Sequence, residues 1–115
     1  MTVVTTLDIT DLTPTEYRAV LDELGVETRP EGGIYLHLTT PTDFGFRIVE
    51  VWDEKAGFDR FLEQRLAPAT KAVGMERETR ITVTPLHNLF AADAEMIDRM
   101  GMLSLPAGVA SWAVQ

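Results

Sequence analysis

The chain contains no cysteine. Disulfides, thiolate metal sites and thiol nucleophiles are therefore excluded, and a reducing cytoplasm is the expected compartment. Histidine is almost as scarce, with only His37 and His87. Serine occurs only at Ser104 and Ser111, without the elbow motif that exposes a hydrolase nucleophile. Basic residues are few: ten Lys and Arg stand against eighteen Asp and Glu, for a net charge of −8. Such a surface repels phosphate backbones and anionic lipid, so neither nucleic acid nor a membrane is an expected partner. No stretch approaches the ~20 apolar residues of a spanning helix. The opening MTVVTTLDIT has neither the basic start nor the long apolar run of a secretion signal, so none is expected. Gly32-Gly33 lacks phosphate-loop spacing, and no HExxH pattern occurs, so no nucleotide, metal or other cofactor is expected.

What remains is an ordinary globular composition. The chain has 115 residues, 45% hydrophobic and 24% charged, which is enough for one domain with a modest core. Thr2 to Ile9 is β-branched and alternating, which predicts a strand with Val3, Thr5, Leu7 and Ile9 on one face. Thr13-Pro14-Thr15-Glu16 has the pattern of a capping box with proline at the first helical position. Tyr17, Val20, Leu21 and Leu24 follow at helical spacing, and Gly25 provides a stop. Ile34 to Thr40 and Gly45 to Trp52 predict an antiparallel hairpin, connected through Pro41 to Gly45.

Asp53 is the expected cap of a second helix whose apolar face carries Phe58, Phe61, Leu62, Leu66 and Ala69, with Arg65 at its edge. Pro68 predicts a kink or a separate last turn, and Gly74 the end. Glu78 to Leu86 predicts a fourth strand, and Ala91 to Met100 a third helix. The order β-α-β-β-α-β is the α+β, ferredoxin-like split βαβ arrangement, a four-stranded antiparallel sheet with helices on one face. Residues 1–90 are the expected protomer. Residues 91–115 form a C-terminal helix and apolar tail, placed in the same domain or docked on a partner subunit or over a pocket. The third strand is apolar on both faces, since Val49 and Val51 alternate with Ile48 and Trp52. A second copy is the natural cover, so a homodimer is expected.

The hairpin, the strand exit Val51-Trp52-Asp53-Glu54, and Phe58 and Phe61 beyond it resemble the dimeric α/β-barrel superfamily. Within it the chain is similar to the small antibiotic-biosynthesis-monooxygenase-like proteins, over roughly residues 2 to 90. The resemblance implies homodimers whose sheets face each other into a barrel, with a pocket between helices and sheet in each protomer. The activities it implies range over cofactor-free oxygenation, cyclisation, isomerisation and haem degradation. Haem-degrading members carry a ligand histidine on the second helix. Glu54 to Val73 has none here, so haem is not expected.

Strand alternation supplies the candidate site. Tyr35, His37 and Thr39 share a face. Pairing Thr39 near Phe46 sets His37 near Ile48 and Tyr35 near Glu50, and groups Tyr35, His37, Phe46, Ile48, Glu50 and Trp52. A one-residue slip would disperse this group. A histidine beside a carboxylate in an aromatic cavity can serve as a general base with its orienter. The ordinary alternative is a hydrogen-bonded core histidine, with Glu50 facing solvent or an arginine. His87 and Asn88 close the fourth strand near a loop, where His87 could move a proton and Asn88 could hold a carbonyl. Their alternative is a polar strand end at a dimer interface. Thus His37, His87 and Glu50 are the catalytic candidates, and Tyr35, Phe46, Trp52 and Asn88 the substrate-binding ones. Tyr17 fits a core role better, and Trp52 can equally be a packing anchor. The expected ligand is a small hydrophobic organic molecule, flat or polycyclic. A non-catalytic binder or accessory dimer, or a plain interaction module, would carry the same features without turnover.

Overall fold

A computed structural model describes residues 1–103. Four strands, β1 (Val3–Thr10), β2 (Ile34–Thr42), β3 (Gly45–Trp52) and β4 (Thr79–Pro85), form one antiparallel sheet in the order β2-β3-β1-β4. This is the ferredoxin-like α+β fold. Helix α1 (Pro14–Leu24) joins β1 to β2. Helix α2 (Lys55–Phe61), a π-helical turn (Leu62–Leu66) and α3 (Ala67–Ala72) run without interruption between β3 and β4, and α4 (Ala94–Leu103) follows. No helix among the described residues is long and apolar enough to cross a membrane.

The core lies between one sheet face and the α2 to α3 run. Val3, Leu7 and Ile9 of β1 alternate inward and meet Ile48 and Trp52 of β3, with Phe58 and Phe61 closing over them. Trp52 is fully buried, with Phe58 edge-on at 5.9 Å and Phe61 tilted at 5.5 Å between ring centroids. Burying a side chain of this size stabilises the fold by about 2 to 3 kcal/mol. The opposite sheet face carries Leu38, Val49 and Val51 by the same alternation, and Leu38 is exposed.

Helix α1 begins as its sequence requires. The Glu16 amide donates to Thr13 Oγ1 at 3.1 Å, and the Thr13 amide donates back to Glu16 Oε1 at 3.1 Å. Gly25 ends it in the left-handed conformation. Asp53, in contrast, does not cap α2. The N-cap is Glu54, without a side-chain bond. Asp53 instead belongs to the loop before β2: its amide donates to the Gly33 carbonyl at 2.8 Å. Pro68 is accommodated without ending the helix. The π-helical turn immediately before it widens the backbone, which absorbs the donor that proline lacks.

The β2-β3 turn is tighter than the sequence pattern suggests. Thr42 pairs with Gly45, leaving Asp43 and Phe44 as the turn, so Pro41 lies inside β2. Proline is tolerated there because β2 is an edge strand. Gly45 is fixed by its surroundings: its φ is +149°, and a Cβ would stand 2.2 Å from the Ile9 carbonyl oxygen. The tighter turn sets the register that builds the candidate site.

Candidate functional site

The observed pairs are His37 with Glu50, Thr39 with Ile48 and Pro41 with Phe46. The expected register is therefore displaced by two residues. An even displacement keeps every side chain on its face, so His37, Thr39, Phe46, Ile48, Glu50 and Trp52 remain together. Tyr35 does not join them. Ile34 pairs with Trp52 and Leu36 with the adjacent Val51, so Tyr35 is the extra residue of a β-bulge and is 67% exposed.

Glu50 is the centre of the assembly. Its carboxyl group is buried, a costly place for a charge unless it is well bonded. The His37 ring meets Oε2 through Nδ1 at 2.8 Å. The Trp52 indole N–H donates to Oε1 at 3.0 Å, and the fully buried Thr5 hydroxyl lies 3.5 Å from the same oxygen. These partners come from three adjacent strands: β1 supplies Thr5, β2 supplies His37 and β3 supplies Glu50 and Trp52. Among the described residues no buried side-chain polar atom lacks a partner.

On the other side of the imidazole, Nε2 lies 2.7 Å from the Tyr17 hydroxyl and 3.2 Å from Thr39 Oγ1. Thr39 donates to the Tyr17 oxygen at 2.7 Å. Tyr17 arrives from α1, three residues after the N-terminal proline of that helix, so the capping box indirectly sets the height of its phenol. Its ring runs nearly parallel to Phe46, at 9° and 6.0 Å between centroids, and at 20° to the His37 ring. Burial pushes the Tyr17 phenol above its usual value, opposed in part by the Thr39 hydrogen bond; the charge of Glu27 also raises it. The His37 side chain is 29% exposed, so this end of the network reaches the surface at the edge strand while Glu50 stays inside.

Trp52 thus serves the site from below. Fully buried, it holds Glu50 through its indole and presents no free face. Phe46 lies beside Tyr17 at the rim. His87 and Asn88 lie beyond the end of β4, both exposed and remote in sequence pairing from Glu50: Val83, not His87, is the β4 residue opposite Thr5. Tyr17, Thr39 and Thr5 complete the network. Thr39 was legible by its parity with His37. Thr5 lay on the inward face of β1, but nothing in its spacing marked it as a partner of Glu50. Tyr17 fell on the apolar stripe of α1, where a buried tyrosine and a functional one share the same pattern.

The loop beside this rim is held by ion pairs. Arg18 pairs with Glu27 and with Asp22, and Arg65 pairs with Glu31 while donating to the Leu24 carbonyl at 2.8 Å. An open groove of about 410 Å³ between α1 and α3 is lined by Glu23, Leu24, Gln64, Arg65, Pro68, Ala69 and Ala72. None of the residues around His37 contributes to it. Among the described residues no cluster of His, Asp and Glu is arranged to hold a metal ion.

The arrangement offers a buried carboxylate, an imidazole oriented by it, and two hydroxyls at the outer end. It can hold and relay a proton between the Tyr17 hydroxyl and the His37–Glu50 pair.

No family model and no curated protein matches the sequence. Solved structures do match in fold. A single-residue mutant of the cofactor-independent oxygenase SnoaB from Streptomyces nogalater superposes with a TM-score of 0.59 at 18% identity, covering 76% of this chain and 95% of that one. A proposed antibiotic biosynthesis monooxygenase from Deinococcus radiodurans gives 0.56 at 20% identity, covering 79% and 97%. A dimeric ferredoxin-like protein of unknown function from Thermobifida fusca gives 0.54 at 11% identity, covering 74% and 92%. The chain therefore has the ferredoxin-like fold of the antibiotic-biosynthesis-monooxygenase-like proteins.

Proposed function

We propose that the protein is a small-molecule enzyme that acts on a hydrophobic, polycyclic organic substrate without a cofactor. Its chemistry begins with removal of an acidic proton, with His37 as the base and Glu50 as its orienter. The observation that carries this is the 2.8 Å contact between His37 Nδ1 and the buried Glu50 carboxylate. A carboxylate fixed by Trp52 and Thr5 holds the neutral imidazole in one tautomer, with the Nε2 lone pair directed at the Tyr17 hydroxyl. Proton removal leaves an electron-rich substrate anion. In the oxygenation reading, that anion is itself the reductant of dioxygen: a CH₂ carbon becomes a carbonyl, and the second oxygen atom leaves as water with the two hydrogens. Cyclisation and isomerisation use the same first step without dioxygen. The SnoaB likeness supports the oxygenation branch, since that protein is a cofactor-independent oxygenase.

The working form in this proposal is a cytoplasmic homodimer. Its support is the sheet face bearing Leu38 and Val49, where Leu38 is exposed, together with the dimeric Thermobifida fusca neighbour. His87 and Asn88 remain proposed only as substrate contacts, because both are exposed and lie beyond the end of β4. Oxygen uptake and product formation with a panel of polycyclic phenols and anthrones test the assignment. His37→Ala should lower turnover ~10²-fold or more, the usual contribution of a positioned base, while His87→Ala retains most of it. Full activity in His37→Ala would remove the assignment. The second reading, a non-catalytic binder, predicts ligand-induced thermal stabilisation without product.

A further inference from the structure

The far nitrogen of His37 is already engaged within its own network. The Trp52 indole can only donate, so Glu50 Oε1 is an acceptor. The carboxylate likewise receives the proton of His37 Nδ1, which leaves Nε2 of the neutral ring as an acceptor. Two hydroxyls close on that nitrogen, Tyr17 at 2.7 Å and Thr39 at 3.2 Å. Thr39 donates to the Tyr17 oxygen, and against the neutral ring the Tyr17 hydroxyl is the donor to Nε2. The phenol oxygen has thus directed its only proton inward and keeps acceptor capacity for an incoming group. A substrate proton can therefore reach Nε2 through the Tyr17 hydroxyl that already occupies it.

Resting on the function proposed above, we propose that Tyr17 is the catalytic residue that receives the substrate's proton, and that this proton belongs to the O–H of a neutral, planar phenol or enol. The substrate O–H bond breaks and its proton goes to the Tyr17 oxygen, while the Tyr17 proton passes to His37 Nε2. The products are a substrate phenolate or enolate, a neutral Tyr17, and an imidazolium paired with the Glu50 carboxylate. No electrons are exchanged in this step. Three features select the substrate. The Tyr17 oxygen can accept a further hydrogen bond, which an O–H supplies. The Tyr17 and Phe46 rings, stacked nearly parallel at 6.0 Å between centroids, offer aromatic partners to another ring. The nearest guanidinium on α1, Arg18, is already paired with Asp22 and Glu27, and the chain is strongly acidic, so a neutral substrate is favoured over an anion. Burial keeps the phenol protonated, as a relay requires.

The test uses 4-nitro-1-naphthol, whose anion absorbs visible light, under anaerobic conditions where oxygenation cannot proceed. The wild-type protein should bind the dye and hold it as the anion at pH values where the free dye is still neutral. Tyr17→Phe should still bind it but lower the bound anion population by about tenfold or more, the equivalent of one pKa unit. Thr39→Val, which removes the donor to Tyr17 and the longer contact to Nε2, should give a smaller loss. A Tyr17→Phe protein that ionises the dye like wild type overturns the proposal, as does a wild type that leaves the dye unbound or neutral. A second measurement needs no variant. On adding the dye, the two ring nitrogens of His37 should move to imidazolium ¹⁵N shifts, and a ring that stays neutral overturns the relay. The two proposals fail separately. If dye ionisation requires Tyr17 but no oxygen is consumed with any substrate, the relay stands and the oxygenation branch falls. If wild type and Tyr17→Phe consume oxygen equally fast, the enzyme stands and the role of Tyr17 falls.

Discussion

Glu50 must accept from two donors that reach its two oxygens separately, the His37 ring and the Trp52 indole. Glutamine has one acceptor oxygen, so in Glu50→Gln one buried donor would face an NH₂ group. The expected loss of stability is about 1 to 3 kcal/mol in urea unfolding, with the larger effect on turnover. Tyr17 gives a pH signature. Its folded-state pKa is raised above the ordinary 10.0 by burial, so the folded chain retains a proton that the unfolded chain releases. The stabilisation is fully present below pH 10 and is lost as pH rises from there through the folded value. Tyr17→Phe has no such proton, and its stability should decline less steeply above that pH in denaturant titrations. At this scale the sequence was partly legible. Strand parity grouped His37, Glu50, Phe46 and Trp52, because alternation survives a two-residue displacement. It could not reveal that Trp52 holds Glu50 by a hydrogen bond, since a buried tryptophan is expected for packing alone.

Local elements decide whether these residues meet. Helix α1 carries Tyr17 one turn after its N-cap, Thr13. Thr13→Ala should cost about 1 kcal/mol, and should also loosen the phenol against His37, seen as a lowered anion population of a bound dye. Gly45 allows the tight turn that sets the β2-β3 register. Ala at this position would place its Cβ 2.2 Å from the Ile9 oxygen and 2.7 Å from the Asp11 nitrogen. A loss of ~3 kcal/mol or more is expected, within the range of strained-backbone substitutions, measured by thermal or urea unfolding. The capping box and the Gly25 stop were readable because short-range hydrogen bonds dictate them. The bulge at Tyr35 was not, because it depends on how β2 must bend to follow β3 while the Gly33 carbonyl stays bonded to Asp53. The same contact explains why Asp53 leaves the cap of α2 to Glu54. The π-helical turn was invisible for a related reason: Pro68 signals a lost donor, but the way the backbone absorbs the loss is a matter of packing.

For the whole molecule, the order of helices and strands led to the ferredoxin-like topology, since hydrophobic period and turn residues agree along most of the chain. The proposed dimer follows from the second sheet face. Val49→Asp places a charge on that face, opposite Leu38, and should shift a dimer toward monomer in sedimentation velocity, while the helix-side core is untouched. The segment after β4 exposes Leu89, Phe90, Met96, Ile97 and Met100, an apolar group that strand and helix patterns alone could not assign to a neighbour. The expected docking on a partner or over a pocket concerns the helix and tail of residues 91–115, of which 104–115 lie outside the described residues. The central claim is that proton chemistry is centred on the His37–Glu50 pair, under Tyr17 and Thr39. A crystal structure with 4-nitro-1-naphthol bound tests it most directly. The account predicts the ring against Phe46, with its oxygen within hydrogen-bond distance of the Tyr17 hydroxyl. A ligand seated instead at His87, with Tyr17 and His37 untouched, would contradict it.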